Sequence, residues 1–443
     1  MKLWQKNTDS HRDIDSFTVG NDRELDMHLA PFDVLGSLAH IKMLRSVNLL
    51  TAEELAVLSK ALKDIYNDIT EGRFSLDDDV EDIHSQIEIL LTQKLGDAGK
   101  KIHAARSRND QVLLDIKLFL RNEIEAIVHA VVQLFSLLQL QSEKYKEHLL
   151  PGYTHLQLAM PSSFGLWFGA YAESLADDMV TLRSAWDVVN KNPLGSAAGF
   201  GSSFPINRQL TTDLLGFGSM NYNVVYAQMG RGKTEKILSQ AMANIAATLA
   251  RLSMDACLFL NQNFGFISFP SEFTTGSSIM PHKKNPDVFE LIRAHCNRIQ
   301  SVPNEISQVT ANLPSGYHRD FQLLKEILFP AIKQLHDCIS MTAMMLEQIE
   351  IKPAILADEK YKYLFTVEEM NKLVLTGIPL RDAYRQIGDM VESGTFVPDR
   401  KVHHVHEGSI GNLCNDAIKQ QMDAVLNSFS FEEVNIALHK LLE

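Results

Sequence analysis

Ser277, Lys283 and Asn285 lie close together in the run Gly276-Ser277-Ser278-Ile279-Met280-Pro281-His282-Lys283-Lys284-Asn285. A hydroxyl, a fixed positive charge and an amide donor in one glycine-led loop suit a particular task. That task is removal of a proton from carbon beside a carboxylate. The step creates a dianion, the aci-carboxylate, which needs a base and dense positive potential away from water. A Gly-Ser-Ser loop can turn several N–H groups inward and carry a hydroxyl close to a substrate. Lys283 adds charge, Asn285 adds donors, and Pro286 can start the following helix. Composition alone also fits a surface turn ahead of a helix.

Three further clusters hold chemistry-bearing side chains. His103 to Gln111 gathers Arg106, Ser107, Arg108 and Asn109 ahead of a long apolar-periodic run. A helix N-terminus there would be a natural anion site, although Ser107, Asn109 or Asp110 would equally serve as an N-cap. Pro151-Gly152-Tyr153-Thr154-His155-Leu156-Gln157 ends the same run, and its histidine could be structural or functional. Gly316 to Lys325 places Tyr317, Gln322 and Lys325 at spacings of five and three. Residues three apart share a helix face, so Gln322 and Lys325 can converge.

These clusters need elements to position them, and helix dominates the pattern. No glycine or proline occurs from Lys100 to Leu150, where Leu113, Ile116, Leu120, Ile124, Ile127, Val131, Leu134 and Leu138 form one stripe. Leu114, Leu118, Val128, Val132 and Phe135 widen it, so the helix is expected to be buried on several sides. Further glycine- and proline-free runs cover Ala170 to Asn192, Lys233 to Phe264, Asp287 to Val302 and Ala331 to Lys352. Pro193, Pro270, Pro303 and Pro330 punctuate them. Strand patterning is weak, with Phe264 to Phe269 the best extended candidate. An all-α chain in three domains is expected, at 1–105, 106–353 and 354–443.

The bulk numbers exclude several classes. The chain has 443 residues, 45% hydrophobic, with 42 basic and 55 acidic side chains and a net charge of -13. That excess disfavours nucleic acid as a partner. No uninterrupted apolar stretch has the length of a membrane span, and the N-terminus lacks a signal-peptide core. Cys257, Cys296, Cys338 and Cys414 are scattered without a metal-binding spacing, so reduced thiols and a cytoplasmic setting are expected.

The motifs carry a resemblance. GSSIMPHKKN resembles the fumarase/aspartase superfamily signature GSxxMPxKxN at every defined position. SRNDQ, GYTHLQ and GYHRDFQLLK resemble further motifs of that superfamily in their argininosuccinate lyase form. With FDVLGSLAHIKML, EDIHSQIE, PLGS and GIPLRDAY, the likeness to the argininosuccinate lyase family covers nearly the whole chain. It implies a homotetramer with a central helical bundle and sites shared between three subunits. It implies no metal or organic cofactor, and cleavage of argininosuccinate to arginine and fumarate. Ser277 would be the base, His155 its partner acid/base and Glu290 the carboxylate orienting that histidine. Lys283 and Asn285 would stabilise the aci-carboxylate. Asn109, Thr154, Tyr317, Gln322 and Lys325 would bind substrate, with Ser107, Arg108 and Arg231 beside them.

The chain also departs from the family pattern. Leu3-Trp4-Gln5-Lys6 lacks the glycines of LWGGRF, and Leu158 and Met160 replace a polar pair after the histidine. The usual GSGALAGT run reads Gly195-Ser196-Ala197-Ala198-Gly199-Phe200-Gly201-Ser202. Gly230 and Gly232 stand where aspartates usually flank the arginine aligned with Arg231. Adenylosuccinate lyase shares the MPHK element, but its usual TSSD-type and GRTHGQ-type motifs are absent. Lens crystallins related to argininosuccinate lyase offer a non-enzymatic alternative, against which the intact Ser277, His155, Lys283 and Asn285 argue.

Overall fold

The glycine- and proline-free run after Lys100 folds into α7 (Arg108–Lys144), the 37-residue axis of the molecule. At about 1.5 Å per residue it is ~55 Å long. The start is fixed by Ser107, whose hydroxyl accepts the Asn109 N–H (3.3 Å) while its own N–H reaches Asp110 (2.9 Å). Seven residues of the run before Arg108 are therefore not in this helix. The computed structural model describes residues 11–77 and 80–443, so the departure at Leu3 to Lys6 lies outside the described residues.

Ahead of α7 come α1 (Arg12–Val19), α2 (Asp22–Asp26), α3 (Ala30–Ser46), α4 (Ala52–Thr70), α5 (Ile83–Leu95) and the single turn α6 (Asp97–Lys100). After α7 a hairpin, β1 (Leu149–Thr154) and β2 (Gln157–Ser163), reverses the chain into α8 (Phe164–Val189). Ser142 meets the Gly165 carbonyl and Lys117 meets the Val188 carbonyl, so α8 runs antiparallel to α7. Two two-residue strands, β3 (Lys191–Asn192) and β4 (Ser219–Met220), bracket α9 (Arg208–Leu214). Then α10 (Val224–Met229) leads to α11 (Lys233–Leu260), which packs antiparallel to α8 through Thr248–Asp178 and Trp167–Asp255 bonds.

The bundle is completed by α12 (Asp287–Ile299), α13 (Val302–Val309) and α14 (Leu323–Glu347). Phe329 stacks near Phe119 and the Leu346 carbonyl takes the Gln141 amide, so α14 runs parallel to α7. Pro330 was expected to stop a helix; instead it sits inside α14. Its position on the exposed side lets water reach the turn that loses an N–H. The tail carries α15 (Thr366–Leu375), α16 (Leu380–Glu392), α17 (Asn415–Leu426) and α18 (Phe431–Leu442). Strands are short: β5 (Ile267–Ser268), inside the expected extended stretch, pairs with β6 (Glu350–Ile351).

Two buried apolar clusters hold this together. One joins α7, α8, α11, α12 and α14; the other joins α3, α4 and α5 to Leu114 and Leu118 of α7. Two helices, α7 and α11, contain windows apolar enough by length and composition to cross a membrane. The sequence shows no uninterrupted apolar run because Asp115, Lys117 and Arg121 interrupt α7, and all three are buried within the fold. Their stripes pack on other helices of the bundle.

Candidate active site

One end of the bundle carries the hairpin and the Gly276–Asn285 loop. Thr154 pairs with Gln157, leaving His155 and Leu156 as the two turn residues. Both have positive φ, 53° and 57°, as a type I′ turn demands. Asn-Gly is the usual choice there; a left-handed conformation costs other residues about 1–2 kcal/mol each. That strain is held on a turn that presents His155 outward, with Leu156 78% exposed. The strands beneath are close: a Cβ on Gly152 would stand 2.6 Å from the Met160 carbonyl oxygen, so only glycine fits.

The loop is pinned at its base. The Asn285 N–H bonds the Thr275 carbonyl (2.9 Å), and the Asn285 side-chain amide bonds the Gly276 carbonyl (3.2 Å). Asn285 thereby ties the two ends of the loop together. Ser277 Oγ accepts N–H groups from Met280 (3.2 Å) and Ile279 (3.4 Å). Lys283 is exposed, and Glu290 sits exposed in the first turn of α12. Arg293 reaches Met254, and Phe264 stacks near Tyr153, so α12, the end of α11 and the hairpin share this end. No hydrogen bond or ion pair joins His155 to Glu290 or to the loop among the described residues.

The other end holds the remaining expected residues. Arg108 donates to Ser85 (2.6 Å) and pairs with Asp82 (3.1 Å) and Glu81 (3.5 Å). Ser107 and Asn109 stand beside it, half-buried. Asp110 accepts the N–H groups of Gly195 (3.0 Å) and Ala197 (2.8 Å), holding the 195–202 run over the start of α7. Beneath lies a buried triad, Asp33–His84–Asp115, with His84 Nδ1 2.8 Å from Asp33 and 3.5 Å from Asp115. Burial alone would lower the His84 pKa, but Asp33, Asp115 and Asp82 outweigh it and hold the imidazolium up to about 10. These three are the only trio with metal-ligand spacing among the described residues.

Gln322 and Lys325 do converge, and α1 and α2 meet them. The Gln322 amide donates to the carbonyls of Thr18 (3.1 Å) and Val19 (2.9 Å). Lys325 ion-pairs with Asp26 (2.5 Å) and with Asp22. Burial would lower the Lys325 pKa, yet the two aspartates raise it. Asp22 is pushed up to about 6, by burial first and then by Asp26. Tyr317 is 37% exposed. Arg231 was expected at the substrate; its side chain is 3% exposed and committed to Glu235 (2.8 Å) and the Phe321 carbonyl (2.8 Å).

Within one chain the expected site residues therefore fall into two separate groups. Ser107, Arg108, Asn109, Tyr317, Gln322 and Lys325 cluster toward the start of α7. Thr154, His155, Ser277, Lys283, Asn285 and Glu290 lie toward its other end. Sequence reasoning missed Asp22, Asp26 and Glu235, whose only signal was an unpaired cation expected opposite. It also missed the hairpin, for which Leu158-Ala159-Met160-Pro161 gives no alternating signal.

Comparisons with known proteins fit this architecture. The family model described as Lyase matches residues 2–301. The argininosuccinate lyase of Parabacteroides distasonis is 59% identical, covering 100% of this chain and 99% of its own length. That of Thermotoga neapolitana is 37% identical over 88% of this chain and 98% of its own. Among solved structures, an EDDS lyase in complex with formate superposes with TM-score 0.74 at 21% identity, covering 98% of this chain and 95% of that one. Class II fumarase from Schistosoma mansoni gives TM-score 0.66 at 16% identity, covering 94% and 95%. These last two speak for the fold alone. With the family model matched over two thirds of its length and full-length likeness to argininosuccinate lyases, this chain belongs to the lyase family.

Proposed function

We propose that the protein cleaves argininosuccinate to arginine and fumarate by β-elimination, a step of arginine biosynthesis. The observation that carries the reading is the cradle around Ser277 in an intact signature loop. A hydroxyl with its ordinary proton is a poor base. Two N–H groups already aimed at Oγ favour its alkoxide, and Lys283 in the same loop adds positive potential.

Ser277 removes the proton from the succinyl carbon beside a carboxylate, and the electron pair moves into that carboxylate. Lys283 and Asn285 stabilise the resulting aci-carboxylate. Its collapse forms the carbon–carbon double bond of fumarate and breaks the C–N bond. The departing guanidine takes a proton, and His155 is the acid/base available on the hairpin; Glu290, which makes no bond to it within one chain, would orient it in the assembly. Asn109, Thr154, Tyr317, Gln322 and Lys325 hold the substrate, with Ser107 and Arg108 beside them. Gln322 and Lys325 must exchange their bonds to α1 and α2 for bonds to substrate, or share them.

The two half-sites support assembly. They face opposite ends of a long bundle, so one complete site needs more than one chain. Leu140, Val180, Met254, Leu291 and Met344 are 65%, 51%, 42%, 59% and 51% exposed on bundle helices, an apolar surface that a homotetramer would cover. A cytoplasmic location fits the four free cysteines.

Adenylosuccinate is the rival substrate. It carries a phosphate, which calls for a dedicated arginine cluster or glycine nest. Arg108 is tied to Glu81, Asp82 and Ser85, and Arg231 to Glu235, which leaves neither free for that task. Purified protein should release fumarate, followed by ultraviolet absorbance, from argininosuccinate with a strong preference over adenylosuccinate. Equal or faster release from adenylosuccinate would overturn the substrate and leave the elimination standing.

A further inference from the structure

We propose that Arg231 and Glu235 are positioning residues, which fix the backbone at Phe321 and so set where Tyr317, Gln322 and Lys325 stand, without touching substrate. The proposal rests on the lyase reading for what those three side chains hold.

The geometry is closed on every side. The Arg231 and Glu235 side chains are 3% and 2% exposed. Arg231 Nε donates to Glu235 Oε1 (2.8 Å), and its Nη2 donates to the Phe321 carbonyl (2.8 Å). The guanidinium carbon lies 5.6 Å from the centroid of the Phe321 ring, so one cation grips both the main chain and the side chain of that residue. Glu235 Oε2 meanwhile accepts the Gly232 N–H (2.7 Å), locking the turn that carries Arg231.

This arrangement also accounts for the glycine at 232. Its φ is +75°, and a Cβ there would stand 2.5 Å from Thr310 Cγ2. An aspartate at 232 would be strained and obstructed. Glu235, one helical turn on, supplies the carboxylate instead.

Phe321 is the pivot of the substrate-facing segment. Gln322 follows it directly, and Lys325 lies one turn later on the same helix face. The Tyr317 ring packs 6.2 Å from the Phe321 ring. Among the described residues, no side chain caps the short 3-10 turn Arg319–Gln322 at its start, so the Arg231 bond is a main anchor of its backbone. A shift of about 1 Å in groups that orient a substrate can cost ~10²-fold in rate.

The test is a double-mutant cycle read in kcat/KM for fumarate release, with hydrogen exchange of amides 317–325 measured on the same full-length proteins. Gln322→Ala and Arg231→Met should each lower kcat/KM by ~10²-fold. Their combination should be little worse than either alone, because Arg231 acts through the segment that Gln322 belongs to. Amides 317–325 should exchange faster in Arg231→Met and Glu235→Gln than in wild type. Arg231→Lys, which keeps the charge but not the two-ended grip, should fall between wild type and Arg231→Met in both readouts, and it carries the test if Arg231→Met does not fold. Losses that multiply in the double variant, or unchanged exchange in 317–325, would overturn the proposal. If wild type released fumarate from no succinyl substrate, the lyase reading would fall, and the exchange measurement would still decide the positioning role.

Discussion

In the proposed reaction Ser277 is the base, and the two N–H groups its loop aims at Oγ are what would let a serine act as one. Its two N–H donors come from residues two and three positions on, so the cradle belongs to the loop and survives loss of the hydroxyl. Ser277→Ala should therefore fold and assemble normally while elimination falls at least ~10²–10⁴-fold, the usual worth of a positioned proton-transfer group. Steady-state fumarate release with circular dichroism on the same sample checks this. Near-normal turnover in the folded variant would remove Ser277 from the role. His155 was legible as a motif residue, but its strained turn was not. Nothing in the string Thr154-His155-Leu156-Gln157 resembles the Asn-Gly pair that announces a type I′ hairpin. The backbone conformation there runs against local preference, and local preference is all that a turn signature reports.

At the scale of elements, α7 is both spacer and clamp. Its period was plain in the sequence because apolar residues repeat over many turns; its start was blurred because Ser107, Asn109 and Asp110 are all good caps. Buried polar groups on and beside its inner face were invisible to periodicity, and two of them, Lys117 of α7 and His84 of α5, make opposite predictions with pH. Lys117 bonds Asn221 (3.1 Å) and the Val188 carbonyl (3.2 Å), and burial lowers its pKa to about 7 although Glu235 opposes this. The unfolded chain holds that proton up to its ordinary range near 10.5. Between those values unfolding takes up a proton, so this group's contribution rises with pH. Lys117→Met should lose ground to wild type in urea stability as pH climbs from about 7 to 10; a pH-independent difference would contradict the buried neutral amine.

His84 has the other sign. Its folded pKa of about 10 lies above the ordinary 6.5, so its stabilisation is complete below the latter and vanishes as pH rises through the former. It links α5 to Asp33 of α3 and Asp115 of α7. His84→Gln should cost about 3–5 kcal/mol at acidic pH, as removal of one partner from a buried ion cluster does, and the deficit should shrink as pH rises from about 6.5 to about 10. Urea melts across that range check it, and a constant deficit would mean the imidazole acts through packing alone.

For the molecule as a whole, the sequence named nearly all the expected site residues but not their distribution. Motifs are read one at a time, and a helical period says nothing about which end of a bundle each loop reaches. Only the packing directions, α8 antiparallel to α7 and α11 antiparallel to α8, bring the hairpin and the 276–285 loop to one end and the Asn109 and Lys325 groups to the other. Arg231 shows the same limit at closer range, because alignment with a functional arginine could not reveal that Glu235 and Phe321 enclose it. The central claim is that a working site joins the Ser277 loop of one chain to the Asn109 segment of another. Co-refolding inactive Ser277→Ala with inactive Asn109→Ala tests it most directly. Verified mixed assemblies should regain about a quarter of wild-type activity if each site draws its halves from two chains at random. Mixed assemblies with no activity above the parents would show that each site is built within one subunit, and would contradict the account.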